Sequence, residues 1–324
     1  MRKNINEEII EGRVYDHSLQ MKKVTNKASK NFGVDFISGN LNVATDEEGL
    51  NVIPVHYTFV TEYTKSGAVS STFVNLKQIL DGGKTWLKDG KDEALKVRLS
   101  TAAGLNDFYP GGGDQLVTTQ KNEGGFVSFI SELNPDERAR KKFTFDVIIN
   151  KVTIVSADPE HNIPEDFARI NVAIFDFKNT LMPFTLIAKD SKAPGSVNYF
   201  LGLNASEKNP IYTKVIGEIT NTTIVIPKVM ENAFGEAIVD STPRHEREWI
   251  ITWAQPNPYV FDTPDTITQE ELQKAISDRN IYLEEQKAAT KKYYAERKTT
   301  ASSNIQNGPL PTPSTAVPEG GFNF

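Results

Sequence analysis

Between Phe36 and Val60 the chain alternates apolar and polar residues, turns, and alternates again. Ile37, Leu41 and Val43 fall on one side, and Phe36, Ser38, Asn40 and Asn42 on the other. After an acidic, glycine-containing turn at Asp46–Gly49, Ile53, Val55, Tyr57 and Phe59 resume the inward set. A period of two broken by such a turn predicts a long β-hairpin with one buried face. Upstream, Ile10–Met21 reads as a first strand, with Ile10, Gly12 and Val14 inward and Arg13, Tyr15 and His17 outward. Downstream, Phe73, Leu76, Ile79 and Leu80 lie at helical spacing within Thr72–Leu80, and Gly82-Gly83 ends that helix. Leu95–Leu105 and Gly124–Leu133 supply a fourth and a fifth strand, separated by the turn-rich loop Asn106–Gln115.

Three strands, a helix and two strands is the order of an OB barrel, whose oligonucleotide surface lies on strands two and three and the flanking loops. A charged, proline-containing bridge, Asn134–Lys142, then separates this set from a similar one. The second set comprises Phe143–Val155, Arg169–Lys178, Thr180–Ala188, a short insert at Gly195–Leu203, Lys214–Ile226 and Glu248–Gln255. The repeated order predicts two OB-type barrels in tandem. The alternative is one barrel followed by an unrelated β domain. From Thr268 the pattern changes: Thr268 and Glu271 form a capping box. Leu272, Ala275, Ile276, Tyr282, Leu283, Ala289 and Tyr293 then come at three- and four-residue spacing. The expected organisation is a first barrel over 1–134, a second over 143–262, a helix over 267–298 and a disordered Ser/Asn/Pro-rich tail over 299–324.

Composition narrows the chemistry. At 324 residues the chain can bury two cores, and 38% hydrophobic with 24% charged residues fits a globular protein. No apolar run approaches the ~20 residues that span a bilayer. The start, MRKNINEEII, carries no apolar signal core, so a cytoplasmic location is expected. The absence of cysteine excludes disulfides and thiolate metal sites, and four scattered histidines lack zinc-ligand spacing. Neither a nucleophile elbow nor a dinucleotide fingerprint is present, and the glycines at 111–113 are not followed by the Lys-Ser/Thr of a phosphate loop. No catalytic residue, metal or cofactor is therefore expected. The acidic turns Asp46–Glu48 and Asp158–His161 read as solvated turns. A net charge of -6 leaves nucleic-acid binding open, because the placement of the lysines decides it.

Single-strand binding needs aromatic rings for bases and cations for the backbone. Tyr15, Phe36, His17 and His56 are outward aromatic or imidazole groups of the first barrel, with Arg13 on the same strand face. Lys22–Asn31 holds Lys22, Lys23, Lys27 and Lys30 and no acid. Phe108 and Tyr109 precede the glycines of the loop between strands four and five. The plain alternatives are packing for Phe36 and Tyr15, a solvated loop for the lysines, and a barrel plug for Phe108 and Tyr109. In the second half Phe175 and Phe177 read more readily as packing than as a surface for DNA, Trp249 and Trp253 read as core, and Trp86 is equivocal.

The run GRVYDHSL … FISGNLNVATDEEGLNVIPVHYTFV … GLNDFY … GGFVSFI resembles the OB-fold single-stranded DNA-binding proteins of bacterial viruses and prophages, most strongly over Glu11–Leu133. The resemblance implies a non-enzymatic protein that holds unwound DNA in phage-type replication or recombination. A tail ending in an aromatic is similar to that of bacterial single-stranded DNA-binding proteins, although Glu319 is the only acid near its end. It makes Phe322 and Phe324, with the terminal helix, candidate contacts for replication or recombination proteins or for a second copy of the chain. Two rival readings remain: a structural or assembly protein of a virus particle that uses barrels for protein contacts, and a nuclease built on the acidic turns.

Overall fold

The computed structural model describes residues 4–161, 163–230 and 238–305, with side chains for all of these except 223–245 and 297–305. It is mainly β. Strand β1 (Asn6–His17) is followed by a short β2 (Gln20–Lys23), β3 (Asp35–Ala44) and β4 (Val52–Thr61). Helices α1 (Ser71–Leu80) and α2 (Trp86–Asp89) lead to β5 (Lys96–Phe108) and β6 (Val117–Phe129). The second set is β7 (Lys141–Val155), β8 (Phe167–Phe175), β9 (Leu181–Lys189), α3 (Ser196–Gly202), β10 (Ile211–Met230) and β11 (Ile238–Ala254). Helix α4 (Gln269–Ile305) closes the described chain.

Strand pairing closes two rings. In the first, β1 pairs with β3 and β5, β3 with β4, β5 with β6, and β4 lies parallel to β6 through Val55↔Asn122. In the second, β7 pairs with β8 and β10, β8 with β9, β10 with β11, and β9 lies parallel to β11 through Ile250↔Ile187. Each ring thus has one parallel closure and a helix between its third and fourth barrel strands, which is the OB topology. Both belong to one sheet, because β1 also pairs with β7 from Asn6↔Phe145 to Ile10↔Lys141.

Alternation builds each interior. Ile10, Val14, Ile37, Leu41, Val43, Ile53, Val55 and Tyr57 fill the first barrel, and helix α1 lays Phe73, Leu76 and Ile79 against them. Ser70 caps that helix by accepting the Phe73 amide at 3.3 Å. Closure demands glycine at Gly12, where a Cβ would meet the Ala44 carbonyl oxygen at 2.0 Å. In the second barrel Phe143, Phe145, Val147 and Ile149 of β7 meet Phe184, Trp249 and Ile251. The opposite face of this barrel is also buried: Ile148, Ala173, Phe175 and Tyr212 pack under Ile267, Leu272 and Ala275. The capping box forms, with Thr268 Oγ1 accepting the Glu271 amide at 3.0 Å and Glu271 accepting the Thr268 amide at 2.9 Å.

Three expectations need correction. Phe59 is not inward but 41% exposed. A bulge between Ile37 and Gly39 puts one extra residue on β4, since Ile37 faces Val60 while Gly39 faces Tyr57, and the residues of β4 beyond it change face. Lys22 and Lys23 lie on β2 rather than in a loop. The last two strands run far beyond the predicted segments, pairing from Val215↔Ala254 to Met230↔Ile238.

The chain forms two compact bodies, Met1–Asn106 with Thr119–Arg279, and Asp107–Thr118 with Asn280–Phe324. The first holds both barrels. In the second, Tyr109 is buried and donates its hydroxyl to the Leu283 carbonyl at 3.2 Å, and Asp114 meets Lys287 at 2.9 Å and Lys291 at 2.7 Å. Among the described residues no helix is long and apolar enough to cross a membrane.

Candidate nucleic-acid interface

The face of strands two and three of the first barrel is here the outer face of β3 and β4. At one end the Phe36 and Phe59 rings lie 4.5 Å apart at 41°. Phe36 stands opposite Lys22 of β2 on one side and Thr61 of β4 on the other. A cation is thus in register with an aromatic pair that is open to solvent on Phe59. The lysine segment continues this hairpin: Val24 and Val34 are bonded through their backbones, with Val24 N donating to the Val34 carbonyl at 3.0 Å. Lys27, Lys30 and Phe32 are exposed on its tip. Lys23 pairs with Asp35 at 3.5 Å.

Four residues along β3, about 13 Å at ~3.3 Å per residue, Asn40 Oδ1 meets His56 Nδ1 at 2.8 Å. Burial lowers the His56 pKa, Lys121 and Lys22 lower it further, and Glu123 opposes them. The imidazole is thereby kept neutral at neutral pH, in a field set by two lysines. Beside it opens a groove of about 690 Å3 lined by Asn40, His56, Asn106, Lys121, Asn221 and Arg247, among others. It reaches from the first barrel to β10 and β11 of the second.

The other sequence-predicted residues go elsewhere. Arg13 is drawn into an ion cluster at the far end of β3, with its guanidinium 3.1 Å from Glu47. Lys91 at 3.0 Å and Arg140 at 3.1 Å complete that cluster. Lys91 above all, then Arg140 and Arg13, hold the Glu47 carboxyl down at about 2. The acidic turn is therefore a structural anchor rather than a solvated one. Its neighbour Asn51 ties it to the second barrel by accepting the Asn221 amide at 2.6 Å. Tyr15 packs against Trp86, with centroids 5.9 Å apart, over Gly49. Arg13 pairs with Ala44, eight residues and roughly 26 Å along β3 from Phe36, so Arg13 and Phe36 are not one site. His17 is half-buried beside Leu41, because a bulge between Val14 and Asp16 reverses the face, and burial lowers its pKa. Tyr109 is buried and Phe108 is 41% exposed. Phe322 and Phe324 lie outside the described residues.

In the second barrel Phe175 is buried, whereas Phe177 is 85% exposed with Lys178 Nζ 5.2 Å from its ring. Trp249 is core, donating Nε1 to Glu8 at 2.8 Å, whereas Trp253 is exposed. His161 pairs with Asp158 at 2.7 Å on an exposed turn. Among the described residues no group of three or more His, Asp or Glu is arranged to hold a metal.

Three contributors escaped the sequence reading. Phe59 was hidden by the bulge. Phe32 directly succeeds the lysine run, and an aromatic beside unopposed cations was the available signal. Arg247 had no signal, because one arginine among the charged residues of a strand is indistinguishable until its neighbours are known.

A family model described as YorF matches residues 6–289. No curated protein matches the sequence. Among solved structures, the wild-type single-stranded DNA-binding protein from Thermus aquaticus is similar at 9% identity and a TM-score of 0.46, over 81% of this chain and 98% of that one. A deletion mutant of the same protein gives 10% identity and a TM-score of 0.45, over 82% and 98%. A replication protein A heterotrimer bound to single-stranded DNA gives 9% identity and a TM-score of 0.21, over 74% and 49%. Likeness at this level adds nothing to the topology already read from the strand pairing.

Proposed function

We propose that this chain, which belongs to the YorF family, binds single-stranded DNA without regard to sequence and is not an enzyme. The observation that carries the reading is the Phe36–Phe59 ring pair, with Lys22 in register beside it, on the barrel face suited to oligonucleotides. Rings stack on any base and cations track the backbone, so such a surface has no sequence code. Lys27, Lys30 and Phe32 on the same hairpin extend it. The biological setting we propose is phage-type replication or recombination. Helix α4, which exposes Ile281, Tyr282 and Tyr293, is offered with the tail to protein partners or to a second copy.

The test is a fluorescence-anisotropy titration of labelled oligothymidylate at two salt concentrations, with duplex as competitor. Binding that weakens with salt, because phosphate contacts release counterions, and that duplex does not displace is expected. No binding at low salt would refute the reading. Exposed Phe126 and Phe177 would then favour a second one, in which the barrels are assembly surfaces of a virus particle.

A further inference from the structure

We propose that the DNA strand does not end on the first barrel but continues through the groove between the barrels, where Arg247 takes one of its phosphates. This rests on the single-strand reading above and adds a path and an anchor to it.

The groove begins where the aromatic face ends. Asn40 and His56 belong both to the outer face of β3 and β4 and to the groove wall, so a strand leaving Phe36 and Phe59 along that face runs into it. The rest of the wall mixes polar groups, Asn106, Thr119, Gln120 and Lys121 from the first barrel and Asn221 and Arg247 from the second, with apolar surface from Pro54 and Trp249. Its volume of about 690 Å3 lies within the roughly 300–1,000 Å3 of small-ligand sites.

Arg247 is the element that packing alone leaves unexplained. One guanidinium nitrogen donates to the Gln120 carbonyl at 3.3 Å, while the buried Nε finds no acceptor. Among the described residues no carboxylate lies within ion-pair distance of it. The acid whose charge acts on it is Glu8, buried and bonded to Trp249 at 2.8 Å and Thr101 at 3.0 Å. A buried donor without an acceptor is costly, and a guanidinium with free donors matches phosphate geometry. The polar side chains that share the groove are amides, a hydroxyl, His56 and Lys121, and Lys121 is itself 3.5 Å from Glu123. A phosphodiester is the ligand class that supplies an anion at Arg247 and polar base edges to the amides at once.

The test uses the full chain and two labelled oligothymidylates: one of about four nucleotides, at the low end of a single barrel's site and too short to reach from Phe36 to Arg247, and one of about twenty. Arg247→Gln keeps a polar side chain at the position. Asn106→Glu puts a negative charge on an exposed residue of the groove wall that belongs to neither core. Both are expected to weaken the long oligonucleotide about tenfold and to leave the short one unchanged. For Arg247→Gln the salt dependence on the long one should be shallower by about one unit. Unaltered long-oligonucleotide binding by both variants would overturn the proposal, as would an equal loss on both lengths. Failure of the unsubstituted protein to bind either length would instead sink the single-strand reading itself.

Discussion

Phe59 offers the sharpest test, because its two roles, packing and stacking, are read by different assays. The residue is 41% exposed and its ring lies 4.5 Å from that of Phe36. An aromatic pair contributes about 0.5–1.5 kcal/mol beyond burial and the partial burial of the ring roughly 1–2 kcal/mol, so Phe59→Ala should cost the fold on the order of 2–3 kcal/mol. A stacked base contributes about 1–3 kcal/mol, so the same change should weaken single-strand binding roughly 5- to 150-fold. Phe59→Leu separates the two. It keeps apolar contact with Phe36 and removes the flat face, so unfolding in urea should move little while binding still falls. Neither variant removes a phosphate contact, so the slope of log affinity against log salt should stay that of the unsubstituted protein. The assay is anisotropy with oligothymidylate across a salt series, alongside urea unfolding at the same pH. If Phe59→Leu folds normally and binds as tightly as the unsubstituted protein, the ring pair is packing and not a stacking platform.

Two further predictions concern buried and anchoring carboxyls. Burial pushes Glu8 up to about 7, against the bonds from Trp249 and Thr101 and the charge of Arg247. The folded state therefore holds a proton that the unfolded chain releases near the ordinary value of 4.5, so Glu8 lowers stability as pH rises from there to about 7. Glu8→Gln should raise stability at pH ~8 by about 3 kcal/mol and change little at pH ~4, read by urea unfolding at both; an equal effect at both pH values would contradict it. Glu47 has the opposite sign. Held at about 2 rather than 4.5, it contributes stability above 4.5 that is lost as pH falls towards 2. With a side chain 39% exposed, that contribution is screened to about 1 kcal/mol. Glu47→Gln should flatten acid unfolding across that window, and unchanged acid sensitivity would count against the cluster.

Much of the first barrel is legible in the residues themselves. Ile37, Leu41, Val43, Ile53, Val55 and Tyr57 alternate, and all are buried where alternation puts them. The helix from Ser71, the capping box at Thr268 and the recurrence of the strand order are local signals, and local geometry answers to them. In the candidate interface, Phe36 and His56 came from the same alternation, and Lys22 from the acid-free lysine run. Tyr15 and Arg13 did not join them. Outwardness on a strand does not say what covers that face, and here α2 and the Asp46–Gly49 turn cover it.

What the sequence determined by itself was periodic: the strands, their inward faces, the helix start and the order that makes an OB barrel twice. These arise from short-range sterics and from one buried face per strand. Only the tertiary structure decided which residues share a place. Two bulges reversed the faces of Phe59 and His17, because a single inserted residue turns every later side chain over. The β1–β7 pairing merged two barrels into one sheet, and a groove joined His56 to Arg247 across 191 positions of sequence, from 56 to 247. Such juxtapositions depend on long-range register and closure, which no local pattern encodes.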